Sequence, residues 1–256
     1  MLDKLREMDY QIKAISHVAA ILDGDFTEQL QELEHILTAF RLPIAEIVGG
    51  GGGETKGTQR LRRALAERGW IKSRFEITKS INGVQRESIS HEIDHVCNTD
   101  KGVIALEIEW NNKDPFFDRD LENFKRLHAE GAISLGIIIT RSAELQSRLR
   151  HLVQQYGEDN GLITSKRLVD ASITATPRQI CAIAKKTDRG VPFATAWAEV
   201  FVNDKYGAAT THWQKLVDRI KRGVGNPCPL LLIGLPVTIV EFPSKESPSQ
   251  AESVRP

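Results

Sequence analysis

Apolar residues recur at helical spacing from Phe26 to Phe40, where Leu30, Leu33, Ile36, Leu37 and Phe40 share one face and Pro43 closes the segment. The same period predicts helices over Thr55 to Trp70, with Leu61, Leu65 and Trp70 inward, and over Asp118 to Gly131, through Leu121, Phe124, Leu127 and His128. Further helices are predicted at Ala143 to Tyr156 and at Ala208 to Arg222. Gln11 to Val18 has short β-like character. Arg74 to Ile81 and Arg86 to Cys97 read as strands, and Asn82-Gly83 between them is a strong hairpin signal. A turn over Asn98 to Gly102 leads to a third antiparallel strand, Val103 to Trp110. Ala132 to Thr140 is almost continuously apolar, as in a strand covered on both faces, and Pro229 to Leu235 is a last apolar segment. The pattern predicts a mixed α/β fold, a central mixed β-sheet flanked by helices, in a single domain over residues 1–242. Leu162 to Val202 supports no assignment. From Pro243 onward Ser, Pro, Glu and Lys dominate without periodicity, which predicts a disordered tail over 243–256.

Within that pattern one strand carries chemistry. Residues two apart on a strand point to the same side, so Glu107 and Glu109 project together from Val103 to Trp110. Asp94 lies on the preceding strand, and the short turn lets it pair beside them. Three carboxylates so placed repel one another unless a cation neutralises them, and a hard divalent ion, most naturally Mg²⁺, is held by oxygen ligands. Such an ion activates water and stabilises the leaving oxygen of a phosphodiester. In this assignment Asp94 and Glu107 are metal ligands, and Glu109 is a general base or a ligand of a second ion. On spacing alone, a solvated acidic face explains the residues equally well.

Composition narrows the setting more than the activity. Lys and Arg number 34, as do Asp and Glu, so the net charge is zero and a non-specific coater of DNA is disfavoured. Basic residues do concentrate at Lys56, Arg60, Arg62, Arg63 and Arg68, at Arg141, Arg148 and Arg150, and at Lys215, Arg219, Lys221 and Arg222. Most of these are expected on solvated helix faces, with Lys56 and Arg141 as candidates to touch DNA. Cys97, Cys181 and Cys228 are odd in number and far apart, which fits neither a disulfide framework nor a metal knuckle. No apolar run approaches the length of a membrane span. A reducing cytoplasm is the expected location.

The stretch SHEIDHVCNTDKGVIALEIEWNNKDPFFDRDLENFKRLHAEGAISLGIIITR, Ser90 to Arg141, resembles the BglII and BstYI group of type II restriction endonucleases. EIDH is similar to the strand with that family's first metal-binding Asp, LEIEWNN to its catalytic strand, and GIIITR to the buried strand after the helix. Weaker similarity extends upstream to Trp70 and downstream to NDKYG at Asn203 to Gly207. The resemblance implies the PD-(D/E)xK nuclease fold, Mg²⁺ dependence, and a homodimer that cleaves palindromic double-stranded DNA, with a GATC core shared by the group. A cognate DNA methyltransferase in the host follows from the same resemblance. The common motif ends in Lys, whereas Glu109 stands there; the BglII-like pattern has Gln and the related BamHI pattern Glu. Asn112 matches a base-reading position, preceded by Asn111, and an Asn amide suits adenine N6 and N7. Lys205 and Tyr206 match a second DNA-contacting loop.

Two rival signals need an answer. His91-Glu92-Ile93-Asp94-His95 is a literal H-E-x-x-H, but zinc protease chemistry needs it on a helix, and β-branched Ile89, Ile93 and Val96 predict a strand. With Asp94 toward the site, His91, Ile93 and His95 are expected on the opposite face. The run Gly49 to Gly53 before Glu54-Thr55-Lys56-Gly57-Thr58 lacks the Gly-Lys-Ser/Thr order of a phosphate loop. It reads as a flexible loop, with Lys56 at a helix N-terminus suited to phosphate. Glu46 or Glu76 would serve as a further acid, though nothing selects either. The function classes left are a DNA-cleaving enzyme and a DNA-binding protein of the same fold without the chemistry.

Overall fold

The computed structural model describes residues 1–49 and 54–243. In chain order, α1 (Asp3–Glu7), β1 (Gln11–Ile15), α2 (Val18–Asp25) and α3 (Thr27–Ala39) lead to β2 (Leu42–Pro43), α4 (Ile44–Val48) and α5 (Lys56–Ala66). A long hairpin of β3 (Ile71–Ile81) and β4 (Val84–Asn98) then feeds β5 (Val103–Glu109), α6 (Phe116–Ala129) and β6 (Leu135–Arg141). The helices α7 (Ala143–Asp159), α8 (Ser165–Asp170), α9 (Pro177–Thr187), α10 (Phe193–Lys205) and α11 (Trp213–Lys221) follow, before β7 (Leu230–Leu235) and β8 (Val240–Glu241). The glycine run from Gly50 to Gly53 and the residues from 244 onward, where the sequence predicts a loop and a tail, lie outside the described residues.

Six strands form one sheet in the order β1-β7-β6-β5-β4-β3, and β2 pairs with β8 separately. β5, β6 and β7 run parallel, while β1, β4 and β3 are antiparallel to their neighbours. This is the mixed, helix-flanked sheet that the hydrophobic pattern predicts. Alternation along β5 sends Ile104, Leu106 and Ile108 into one core with α3, α5, α7 and α10, and Ala105 into a second with α6 and α11. Because helices cover both faces, alternate residues of β6 and β7 are all buried, which is why these strands read as continuous apolar runs.

Local chemistry explains most boundaries. Asn82 and Gly83 both adopt left-handed φ, 51° and 77°, as a type I′ hairpin turn demands. Gly136 lets α6 lie close on β6: a Cβ there would stand 2.3 Å from the Phe124 ring. β6 begins at Leu135 rather than Ala132, because Gly131 turns at φ 69° and Ser134 N–H is already bonded to Val103 O. Similarly, α11 begins at Trp213 rather than Ala208. The unassigned region is helical. Its α10 buries Ala194, Ala196, Trp197, Ala198, Phe201 and Val202, an apolar surface too broad to show one stripe.

Candidate active site

Glu107 and Glu109 leave β5 on the side of Ala105, toward α6, and each is only 2% exposed. Burial removes the solvated-face explanation for their spacing. An ionised carboxylate in such a place costs several kcal/mol unless its surroundings compensate. Compensation here is thin. Glu107 Oε1 accepts from the Asp94 backbone N–H at 3.4 Å, and Glu109 Oε2 accepts from Asn112 Nδ2 at 2.9 Å.

A fourth acid stands with them. Asp120 of α6 is fully buried within hydrogen-bond reach of the Glu109 carboxyl, and among the described residues its Oδ2 has no donor from outside the acid group. Its Oδ1 accepts from Arg119 Nε at 2.8 Å and Nη2 at 2.7 Å, and that same Nη2 lies 3.8 Å from Glu109 Oε1. The Arg119 guanidinium also stacks on Phe116, 4.5 Å from the ring centre. Burial, then the nearby Asp120, pushes Glu109 up to about 9 from 4.5 and raises Glu107 well above the usual carboxylate range. Burial raises Asp120 as well. Neither sequence candidate for a further acid joins this group by any bond it makes: Glu46 pairs with Arg60, and Glu76 accepts from Ser88 on the hairpin. Asp120 was legible in principle, as a lone carboxylate within the apolar stripe of Phe117, Leu121, Phe124 and Leu127.

Asp94 occupies a β-bulge. The register passes from Ile71↔Val96 to Ser73↔Ile93, so Lys72 alone faces both Asp94 and His95. Asp94 Oδ1 lies 3.6 Å from Lys72 Nζ, which also binds Glu92 Oε1 at 2.7 Å. The bulge corrects the expected alternation of this strand. Ile93 joins the α6 core and His91 bonds Asn123 of α6 at 2.7 Å, whereas His95 turns to the cleft and meets Leu106 O at 3.2 Å. His91 and His95 therefore do not share a face, and H-E-x-x-H lies on a strand. The protease reading has no geometry to support it.

Beside the acids opens a cleft of ≈ 1150 Å³, walled by α5, the β3–β5 ends and α9–α10, with Asp94 on its wall and Glu107, Glu109 and Asp120 set behind it. Asp94, Asn111, Asn112, Lys72, Arg62 and Lys205 all line it. Lys56 is exposed in the first turn of α5, whose N-cap is Thr55. Lys205, however, donates to Gly49 O at 2.8 Å and Ile47 O at 3.3 Å. Two expected DNA contacts are corrected outright. Tyr206 is fully buried with its hydroxyl on Ile47 O at 3.0 Å, and Arg141 is fully buried between Trp110 and Tyr206. Arg141 donates to Gln146 and Thr210, both at 2.9 Å, so both side chains are engaged inside the fold. Farther along, Lys215 and Arg219 are tied to Asp114, and Arg219 also to Asp118.

The donor set is all carboxylate oxygen, the kind a hard divalent ion takes, and among the described residues Asp120 Oδ2 has no donor from outside the acids, which leaves it coordinating capacity. By chemistry these residues suit such an ion. As placed, no three His, Cys, Asp or Glu side chains among the described residues are gathered into a metal-holding group. Arg119 and Lys72 stand against the acids in the meantime. Among the described residues no helix is long and apolar enough to cross a membrane.

A comparison with curated proteins found no match. The family model described as restriction endonuclease BglII/BglIII matches residues 10–235, from β1 to the end of β7. It spans the hairpin, the acidic strand and the helix that closes on it, so the chain belongs to the BglII/BglIII restriction endonuclease family.

Proposed function

We propose that this protein is a Mg²⁺-dependent type II restriction endonuclease, acting as a homodimer on a palindromic double-stranded DNA site, with a GATC core as the first sequence to try. The observation that carries the reading is the burial of Glu107 and Glu109 at the end of a central strand, joined by hydrogen bonds to Asp94 and Asn112 on the wall of a cleft that displays amide and basic groups. A nuclease needs concentrated negative charge to hold its cation and positive charge beside it to admit phosphate. Both are present within one site.

Asp94, Glu107 and Glu109 would hold the ion, which when bound supplies the positive charge that polarises a phosphodiester and acidifies water. Glu109, held by Asn112, would in its ionised form take the proton from the attacking water. Lys72 and Arg62 on the cleft wall would meet phosphates, as would the exposed Lys56. Asn111 and Asn112 project where base edges would pass. A two-fold dimer is the simplest reader of a palindrome, each copy cutting one strand. The restriction role places the protein in the cytoplasm with a methyltransferase of matching specificity, with no contact between them required.

Incubation of the full chain with plasmid DNA and MgCl₂, followed by sequencing of fragment ends, tests this. One fixed set of cuts at a palindrome is expected, abolished by EDTA. Sequence-specific binding without cutting in Mg²⁺ or Mn²⁺ would leave a catalytically silent DNA-binding protein instead.

A further inference from the structure

We infer that Asp120 and Arg119 form a built-in exchange at the cation site: Asp120 is a fourth acidic ligand, and Arg119 is the internal cation that a divalent ion must displace. The inference rests on the reading of Asp94, Glu107 and Glu109 as the cation-binding set, and deepens it.

Three positions carry the argument. Asp120 is wholly buried, comes from a different element than the other acids, and among the described residues keeps Oδ2 without a donor other than the Glu109 carboxyl beside it. A buried carboxylate oxygen so placed is costly unless something positive reaches it. Arg119 reaches only the other oxygen, donating through both Nε and Nη2 to Oδ1, and its Nη2 stops 3.8 Å from Glu109. Its side chain is 52% exposed and rests on the exposed Phe116 ring, so it can swing to solvent without disturbing the core. Arg119 Nη2, 2.7 Å from Asp120 Oδ1 and 3.8 Å from Glu109 Oε1, takes the space that an ion bridging these two acids would need, and two cations so close would repel. Divalent ion and Arg119 therefore exclude each other. A released Arg119 would be free to meet a phosphate, which would couple cation entry to DNA engagement.

Calorimetric titration of the full chain with Mn²⁺, without DNA, provides a readout independent of cleavage. Asp120→Asn should weaken Mn²⁺ binding at least about tenfold, the least effect expected of a residue supporting a metal site. Arg119→Gln, a change at an exposed side chain, should tighten it several-fold because the competitor is gone. Unchanged affinity in Asp120→Asn, or weaker binding in Arg119→Gln, would overturn the exchange while leaving the main reading intact, provided Asp94→Asn and Glu107→Gln still lose Mn²⁺. If those two variants bind Mn²⁺ as the parent does, the main reading falls and the exchange with it. Should Asp120→Asn fail to fold by circular dichroism, the direction of the Arg119→Gln shift alone decides.

Discussion

Glu109 and Arg141 lie at the ends of neighbouring central strands, Glu109 paired with Thr140, and both are buried, yet the fold treats their charges oppositely. Among the described residues no carboxylate is bonded to Arg141. Instead the faces of Trp110 and Tyr206 lie 5.5 Å and 5.1 Å from its guanidinium, and Gln146 and Thr210 accept from it. Neutral groups make it part of the frame, and among the described residues Nη1 has no hydrogen-bond partner. Glu109 is surrounded by more acids, Glu107 and Asp120, and by one half-exposed arginine. A buried charge satisfied by dipoles and rings holds structure together, while a cluster of like charges is kept at a cost to stability for what it binds. The contrast separates the two kinds of buried charge without reference to any ligand.

The contrast breaks most visibly in cleavage. Asp94→Asn or Glu107→Gln should lower cutting at least about 10³-fold, since several kcal/mol of charge stabilisation is lost at about 1.4 kcal/mol per tenfold, while DNA binding by gel shift stays near the parent's. Near-normal cutting by either variant would remove it from the site. Glu109→Gln should cut more slowly but still cut, because the amide keeps an oxygen donor and loses only the base.

Stability should move the other way. Arg141→Ala should cost about 2–4 kcal/mol in urea unfolding, from the emptied space between the rings and the unsatisfied Gln146 and Thr210. Glu109→Gln, which removes charge but keeps shape, should be neutral or stabilising when no divalent ion is added. If Arg141→Ala is tolerated and weakens DNA binding instead, the buried arginine is no structural part and the comparison fails.

The sequence makes one half of this contrast legible and hides the other. Two glutamates at period two in a strand are visible at once, but their burial is not: Leu106 and Ile108 fill the core on the opposite face, and only α6 closing on the glutamate side buries the pair. The hairpin and the helices with narrow stripes are equally plain. Arg141 ends an apolar run and sits in a basic neighbourhood, so the sequence suggests phosphate; only the approach of α10 and the loop beyond it from far along the chain brings Tyr206 onto its guanidinium. The Asp94 bulge has no local signature, because a bulge is a mismatch between two strands rather than a property of one. Asp120 needs tertiary packing to show which acid it meets.

A pH titration sharpens the acidic side. A carboxyl whose pKa is raised in the fold keeps its proton after the unfolded chain has released it. Its stabilising contribution is full below the unfolded value, near 4.5, and is lost as pH climbs toward about 9 for Glu109. Without divalent ion, thermal stability should therefore fall across that window, and Glu109→Gln should flatten part of the slope. Adding Mg²⁺ should flatten it further, as the ion takes the place of the proton. Stability that rises over this range in EDTA would show that the acids are ionised and matched by cations already.

The smallest effect concerns Asn112, which stands between the acids and the cleft. One hydrogen of its amide is on Glu109 Oε2, but an amide carries two, and its oxygen accepts. It can thus keep Glu109 in place while the second hydrogen and the oxygen meet adenine N7 and N6. Asn112→Ala should then reduce discrimination at one base pair by about 1–3 kcal/mol and slow cognate cutting with it, measured against sites substituted one pair at a time. Lys205→Ala offers the control: its ammonium holds the Ile47 and Gly49 carbonyls, so its loss should lower stability rather than alter base preference. If Asn112→Ala slows all sites alike with discrimination unchanged, the residue serves Glu109 only, and base reading at this cleft belongs to other side chains.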